Sequence, residues 1–401
     1  VFGRRKEDGV MRGEKDITVI GGGIGGMAAA LALALRGAQV RVLEQAPALR
    51  EVGAGLQISP NGMAVLAALG VDGALIAKSV RGQGVILKDG LRGTPVLRLN
   101  LRKLPSRHPW LMVHRADLLE CLADGARAAG VSVETGAMVC DVAPAKTGVT
   151  ITLADGTQRS AAVVIGADGI RSATRAAVSA KDKTRFTGQV AWRALVRTDA
   201  ARVAEAHVHM GPGRHLVTYP LRDGKLVNIV AVQEREAWAE EGWSQPDDPA
   251  ALRAAFADFA PDVRQLLEGV EDVHLWGLHR HPVARRWHKD RLILMGDAVH
   301  PTLPFLAQGA CMALEDAWVL AALLARHRKP AAAARMYQLT RRPRCVQIVR
   351  AANGNARAYH LHSPWRQVAH LMLRMAGRAS ADAPLRRFDW LYGHDVTREV
   401  P

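Results

Sequence analysis

The segment that most restricts what this chain can fold into is Gly21-Gly22-Gly23-Ile24-Gly25-Gly26, which follows the apolar run Ile17-Thr18-Val19-Ile20 directly. Read as G-x-G-x-x-G, it uses Gly21 for the tight turn, Gly23 for close backbone approach to a pyrophosphate, and Gly26 for close helix–strand packing. The spacing predicts a helix over Ile24 to Arg36. Its first amides, at Ile24, Gly25 and Gly26, would face the phosphates, as would the positive end of its dipole. Residues 27–35 are all apolar, so that helix should be buried on most sides. The next strand, Val40-Arg41-Val42-Leu43, ends at Glu44. A carboxylate about 20 residues past the loop is placed to bind ribose hydroxyls. An acid there argues against a 2′-phosphate at this site. These features point to a dinucleotide without choosing between NAD and FAD.

A second loop, Gly296-Asp297-Ala298-Val299-His300-Pro301, follows Leu292-Ile293-Leu294-Met295 far downstream. Two loops of this kind suggest a ligand long enough to need both, and FAD is such a ligand. Asp297 ends a strand, where its carboxylate can accept from ribityl hydroxyls; capping the following turn is its alternative role. Gly309 and Ala310 open a long helix and have free amide donors. Facing the N1–C2=O edge of a flavin, they would stabilise its anionic reduced form. Val163-Val164-Ile165-Gly166-Ala167-Asp168-Gly169 reads as a strand and turn. Arg115 stands in the first turn of an amphipathic helix after Val113-His114.

With these motifs in order, the chain resembles the single-component FAD-dependent aromatic hydroxylases, within them the salicylate hydroxylase and 3-hydroxybenzoate 6-hydroxylase branch. The resemblance is carried by the first glycine loop, Glu-Val-Gly-Ala-Gly-Leu-Gln-Ile-Ser-Pro-Asn (51–61), His-Arg-Ala-Asp-Leu (114–118), Gly-Ala-Asp-Gly (166–169) and Gly-Asp-Ala-Val-His-Pro (296–301). It extends over about residues 16–345, and more weakly to Tyr392. It implies non-covalent FAD, with NADH or NADPH as a transient co-substrate and O2 as oxidant, and ring hydroxylation through a flavin C4a-hydroperoxide. It implies that Arg115 contacts the flavin and that Asp168 and Gly169 serve the pyrophosphate; Asp168 also reads as a plain turn residue. One departure stands out. Many relatives have Gly-Gln-Gly where this chain has Ala307-Gln308-Gly309, which stiffens the loop.

The same resemblance implies a phenolic aromatic acid as substrate. Such a phenol, with a pKa near 10, is not ionised at neutral pH, so a nearby base would raise ring electron density. His215 and Tyr219 stand four apart on one expected strand and so share a face. They match the family branch in Gly-Pro-Gly-Arg-His-Leu-Val-Thr-Tyr-Pro-Leu-Arg. Pro304 resembles the proline beside the substrate ring. Arg193 reads equally as a carboxylate ligand or as the partner of an internal acid; Trp192 and Gln233 are weaker candidates for substrate contact and read more readily as packing residues. No metal cluster, Ser–His–Asp set or catalytic carboxylate pair stands out, which fits chemistry carried by a cofactor. The alternatives are a flavoprotein hydroxylase of an N-heterocycle or quinone precursor, and a non-catalytic flavin-binding regulator.

The expected fold is α/β. A Rossmann-type FAD domain (16–185 and 288–345) holds an inserted, mostly antiparallel substrate sheet (186–287), as in p-hydroxybenzoate hydroxylase. A helical region (346–401) follows, packed across both domains or serving a dimer contact, so a monomer and a homodimer both fit. Residues 1–15 read as a flexible extension without a secretory signal, and Met11 as a plausible natural start. Four cysteines (Cys121, Cys140, Cys311, Cys345) without close pairing suggest a reducing, cytoplasmic setting. No apolar stretch is long enough to span a membrane. The net charge of +16 invites a nucleic-acid or anionic-membrane reading, but the arginines are dispersed and only 5% of residues are aromatic. A solvated basic surface, attractive to an aromatic carboxylate, is the expectation instead.

Overall fold

A computed structural model describes residues 16–49, 55–179, 184–199, 203–236, 244–380 and 383–400. The expected 1–15 extension and residues 51–54 of the second family motif lie outside the described residues. One six-stranded sheet orders its strands as His288–Lys289, Leu292–Leu294, Val163–Gly166, Asp16–Ile20, Gln39–Glu44 and Ser132–Thr135. All neighbours are parallel except the first pair. Val163–Gly166 and the Ile17–Ile20 part of its central neighbour are fully buried and apolar except for Thr18, because a parallel sheet is covered on both faces. Helices Ile24–Ala34 and Gly309–Arg326 pack against each other in the same core. Register places Ile20 beside both Leu43 and Gly166, and Gly166 beside Leu294. The segments that follow these strands therefore emerge side by side at one edge. In an open α/β sheet that carboxyl edge is where ligands bind.

The second sheet has eight strands, ordered Ser244–Asp247, Val273–Arg280, Arg185–Arg197, Leu226–Glu234, Arg214–Leu221, Glu205–Gly211, Gly84–Asp89 and Pro95–Asn100. The last two come from the stretch assigned by sequence to the FAD domain, so the sheet is not confined to 186–287. Glu205–Gly211 pairs with Gly84–Asp89 in parallel. Parallel pairing needs a long crossover, so no local turn signal announces it. On the outer face, Val190, Trp192, Ala194 and Ile229 pack beneath helices Pro249–Ala255 and Pro261–Glu268. The inner face meets the turn Pro304–Leu306 through Ala191, Val230 and Val232.

Helix Pro330–Tyr359 joins the two sheets. It touches strand His288–Lys289 and helix Gly309–Arg326 near one end, and the Pro304–Leu306 turn near the other. The expected boundary between 345 and 346 thus falls inside a continuous helix. Helix Trp365–Ala379 lies on strand Pro95–Asn100, and Arg366 donates to Asp89 at 2.8 Å. The C-terminal helices therefore pack across both sheets.

Candidate active site

The first loop fits a pyrophosphate at Gly23 and its own fold at the other glycines. Gly21 has φ +104°, and a Cβ on it would sit 2.5 Å from the Ala167 carbonyl oxygen. A Cβ on Gly26 would come within 1.9 Å of the Gly21 carbonyl oxygen. A Cβ on Gly23 would meet nothing within 4 Å, so only there does the missing side chain leave space for a ligand. Gly23 caps the helix Ile24–Ala34 without a side-chain bond, leaving the amides of Ile24, Gly25 and Gly26 directed at that space. Gly25 instead packs its open side on the Ala313 methyl group. Glu44, expected from sequence to bind ribose, accepts from the Gly22 amide at 2.6 Å and the Ala46 amide at 2.8 Å, so it shapes the loop.

Asp168 is committed more tightly than its motif suggests. Its two oxygens accept from the Thr174 amide at 3.0 Å and the Thr174 hydroxyl at 2.7 Å, tying the turn to helix Ala173–Ser179. Gly169 follows at φ +74°. Arg115 begins helix Arg115–Ala128 and lies close enough to act electrostatically on Asp297. The Asp297 carboxyl is accessible yet set deep among protein atoms. Burial pushes it above the ordinary carboxylate range, against the pull of His300 and Arg115. Gly309 and Ala310, both half-buried, begin an 18-residue helix with no side-chain cap. Their amides are the donors the sequence pointed to.

That helix start is braced by a buried polar cluster. Gln308 donates to the Ser59 hydroxyl at 2.8 Å, and Asn61 donates to Gln308 at 3.1 Å and to Glu315 at 2.7 Å. Arg341 donates to Asp316 at 2.8 Å and pairs with Glu315 at 2.6 Å, all three fully buried. Arg344 adds a further pair to Glu315 at 2.9 Å. Burial pushes Glu315 and Asp316 upward. Arg341 with Arg344 outweighs it at Glu315, and His300 with Arg341 at Asp316, so both carboxyls lie below their usual range. His300 moves the other way: burial pushes it down, but Cys345 and Asp316 lift it well above an ordinary imidazole. His300, Asp316 and Cys345 converge like a metal triad. Arg341, however, reaches both Asp316 and the Cys345 sulfur, at 3.7 Å, and so sets a cation where an ion would have to stand.

The inner face of the large sheet carries the expected substrate residues only in part. Register sets Arg193 beside Val230, His215 beside Val232, and Tyr219 beside Asn228, all on this face. Trp192 and Gln233 are on the other one. Trp192 packs edge-on to Phe256 and donates to Asp247 at 2.6 Å, and Gln233 accepts from Arg235 at 3.3 Å. Alternation along a strand forbids Trp192 from sharing a face with Arg193. His215 is buried, its ring 5.2 Å from that of Phe305, the residue after Pro304. Burial and the neighbouring His360 hold it well below pKa 6.5, so it is neutral at pH 7. Burial likewise pushes Tyr219 up, opposed by Arg193 nearby, so Tyr219 keeps its proton. The Arg193 guanidinium lies over the Trp276 ring at 5.3 Å.

Several residues here escaped the sequence reading. Asn228 is fully buried and accepts from the Gly55 amide at 2.5 Å. A Cβ on Gly55 would strike the Tyr219 ring at 2.6 Å, so glycine lets strand Gly55–Ile58 close on the sheet. An asparagine inside the run Leu226-Val-Asn-Ile-Val-Ala-Val232 was the available signal, because buried polar groups need partners. Asn61 closed the 51–61 motif without a role being read for it, and Trp276 and Arg341 gave no comparable signal.

A dinucleotide edge beside a large, mostly antiparallel sheet fits a flavin-dependent oxidoreductase. Comparison with known proteins narrows the class. Residues 14–352 match the model of the FAD binding domain family. The chain is 36% identical to a 3-amino-4-hydroxybenzoate 2-monooxygenase of Streptomyces platensis, covering 95% of this chain and 96% of that one. It is 33% identical to a 3-hydroxybenzoate 6-hydroxylase of Klebsiella oxytoca, with 94% and 96% covered. The solved substrate complex of a salicylate hydroxylase superimposes with a TM-score of 0.80 at 26% identity, covering 96% of each chain. The chain belongs to the FAD-dependent aromatic hydroxylases and is an FAD-dependent aromatic monooxygenase. Among the described residues no helix is long and apolar enough to cross a membrane.

Proposed function

We propose that this protein hydroxylates the ring of a phenolic aromatic acid of the hydroxybenzoate type, with NADH or NADPH as reductant and O2 as oxidant. The observation that carries the reading is a neutral, buried His215 beside the Pro304–Leu306 turn, on the same sheet face as Arg193 and Tyr219. The names of the relatives, which act on hydroxylated benzoates, support it. The chemistry that bound FAD would supply is acceptance of a hydride from the nicotinamide and activation of O2 for transfer of one oxygen atom to the ring. Gly21, Gly23, Ile24, Gly25 and Gly26 would hold its pyrophosphate, with Asp168 and Gly169 shaping the adjoining turn. Glu44 would hold the ribose, Asp297 the ribityl chain, and Gly309 and Ala310 the flavin ring, with Arg115 beside it.

The protein's own part is binding, orientation and proton handling. Arg193 pairs with the substrate carboxylate, its guanidinium already fixed over Trp276. His215 accepts the phenol proton, as a neutral imidazole near pH 7 is able to do. Tyr219, kept protonated, donates to the substrate oxygen, and Pro304 with Phe305 walls the ring. The test is a screen of hydroxybenzoates, aminohydroxybenzoates and hydroxypyridines for stimulated NAD(P)H consumption, with product identification. Coupled hydroxylation of a benzoate supports the reading. Coupling confined to hydroxypyridines moves the substrate to the heterocycles, and NAD(P)H consumption unresponsive to every aromatic overturns it.

A further inference from the structure

His215 does not end at its own ring. Its Nδ1 lies 2.7 Å from His360 Nε2, and His360 Nδ1 lies 2.8 Å from Glu234 Oε1. His215 and His360 are buried, at 1% and 4% exposure, whereas the Glu234 side chain is 50% exposed. The three thus form an unbroken line from the inner sheet face to the protein surface. The turn that carries the line is itself fixed. The Gly213 amide donates to the His360 carbonyl at 3.1 Å, and the Glu234 amide donates to the Gly213 carbonyl at 2.9 Å.

The line also fixes the tautomers. An ionised Glu234 only accepts, so His360 carries its proton on Nδ1. His360 Nε2 is then a lone pair, which accepts from Nδ1–H of His215. That leaves His215 Nε2 as a lone pair, and among the described residues it has no hydrogen-bond partner. We propose that His215, His360 and Glu234 form a proton relay between the substrate hydroxyl and bulk water, in which His360 and Glu234 are positioning and transfer residues outside the substrate pocket. The inference rests on the reading of His215 as the base for a phenolic substrate.

Each transfer balances. The substrate O–H bond breaks as Nε2–H forms on His215. Nδ1–H of His215 breaks as Nε2–H forms on His360. Nδ1–H of His360 passes to Glu234, which releases the proton to water. Both imidazoles end neutral, with their tautomers exchanged. The reverse sequence returns a proton to the phenolate of the product and restores the starting tautomers. No ring has to hold a charge at rest in the core, where burial disfavours it.

The test uses the full chain loaded with FAD, mixed at pH 7 with 3-hydroxybenzoate or 3-amino-4-hydroxybenzoate in weak buffer containing a pH-indicator dye. Wild type should release up to one proton per site on binding. Glu234→Gln keeps a hydrogen-bond acceptor for His360 but cannot take its proton, so release should slow by about tenfold or more. Ligand affinity should be unchanged, and millimolar imidazole buffer or the Glu234→Asp variant should restore the rate. His360→Gln should slow release similarly without restoration by buffer. Wild-type release rates in both Glu234→Gln and His360→Gln, alongside loss of release in His215→Ala, overturn the relay and leave the base intact. Slowing that neither buffer nor Asp restores in the Glu234→Gln protein assigns the line a structural role and overturns the relay too. No release from wild type with either probe, or full release from His215→Ala, overturns the base and the relay together.

Discussion

Asn61 and Gln308, 247 residues apart in sequence, are joined side chain to side chain at 3.1 Å beneath the start of helix Gly309–Arg326. The same Asn61 nitrogen donates to Glu315 at 2.7 Å. One amide therefore ties strand-proximal Ser59–Asn61 to the helix whose first amides are proposed to face the flavin. Asn61→Leu leaves the Gln308 oxygen without this donor and removes one from buried Glu315. The loss should be about 1–3 kcal/mol in stability, the usual result of stranding a buried acceptor. Flavin affinity should fall with it, because Gly309 and Ala310 lose their brace. Thermal melts with and without added FAD check both. An unchanged melt would mean that the Asn61 bonds carry no net stability.

The ion cluster behind that helix predicts a pH response. Glu315 and Asp316 titrate below their ordinary range in the fold. Their contribution is complete above the unfolded carboxyl pKa of about 4, and is lost as pH falls through the lowered folded values. His300 titrates above its ordinary value. Its contribution is complete below about pH 6.5 and is lost as pH rises through the raised folded value. Arg341→Met removes the cation shared by both acids and should cost about 3–5 kcal/mol at neutral pH. In that variant the acid side of the stability profile should also flatten, since the acids lose part of what depresses them. Urea titrations from pH 3 to 8 measure this. A parallel downward shift of the whole profile would show that Arg341 does not control the acids.

Two glycines of one loop should separate folding from binding. Gly23→Val places its side chain where nothing stands within 4 Å, so the apo protein should fold normally but lose FAD. Gly26→Ala drives a methyl group to within 1.9 Å of the Gly21 carbonyl oxygen, so it should fail at folding. Soluble yield, circular dichroism and flavin absorbance distinguish the two. Full flavin occupancy in Gly23→Val would remove the pyrophosphate from this loop.

The dinucleotide edge was legible because its signals are local. A strand, a glycine turn, an apolar helix and an acid follow one another within residues 17–44, and each obeys a short-range rule. The three hairpin-linked strands Glu205–Gly211, Arg214–Leu221 and Leu226–Glu234 were legible for the same reason, through their turns. The faces of the sheet were not. Arg193 and Trp192 both stood as substrate candidates, Trp192 the weaker of the two, although they are neighbours on a strand; only register with Val230 and His274 shows which one faces inward. The partners of His215 were out of reach altogether. His360 lies 145 residues further on, at the end of a helix that sequence divided at residue 345. Strand Gly84–Asp89 was hidden likewise, since its partner Glu205–Gly211 pairs in parallel across a long crossover.

Ala307 supplies the last prediction. It ends the Pro304–Leu306 turn at φ +52°, ψ +36°, the left-handed region, at a position where the resemblance leads one to expect glycine. An L residue there is disfavoured by about 1–2 kcal/mol relative to the right-handed region. Glycine avoids that cost but loses more chain entropy on folding, by roughly 0.5–1 kcal/mol. Ala307→Gly should therefore be stabilising by about 1 kcal/mol or less, whereas Ala307→Val adds a β-branch at positive φ and should be clearly destabilising. The turn also carries Phe305, whose ring lies 5.2 Å from His215 and whose carbonyl accepts from Asn355 at 3.2 Å. A distorted turn would loosen the wall of the proposed substrate pocket. Ala307→Val should then lower the ratio of hydroxylated product to NAD(P)H consumed, while Ala307→Gly leaves it close to wild type. Melting temperatures and coupling ratios for the two variants, measured side by side, decide the matter. Destabilisation by glycine would mean that rigidity at residue 307 outweighs its backbone strain.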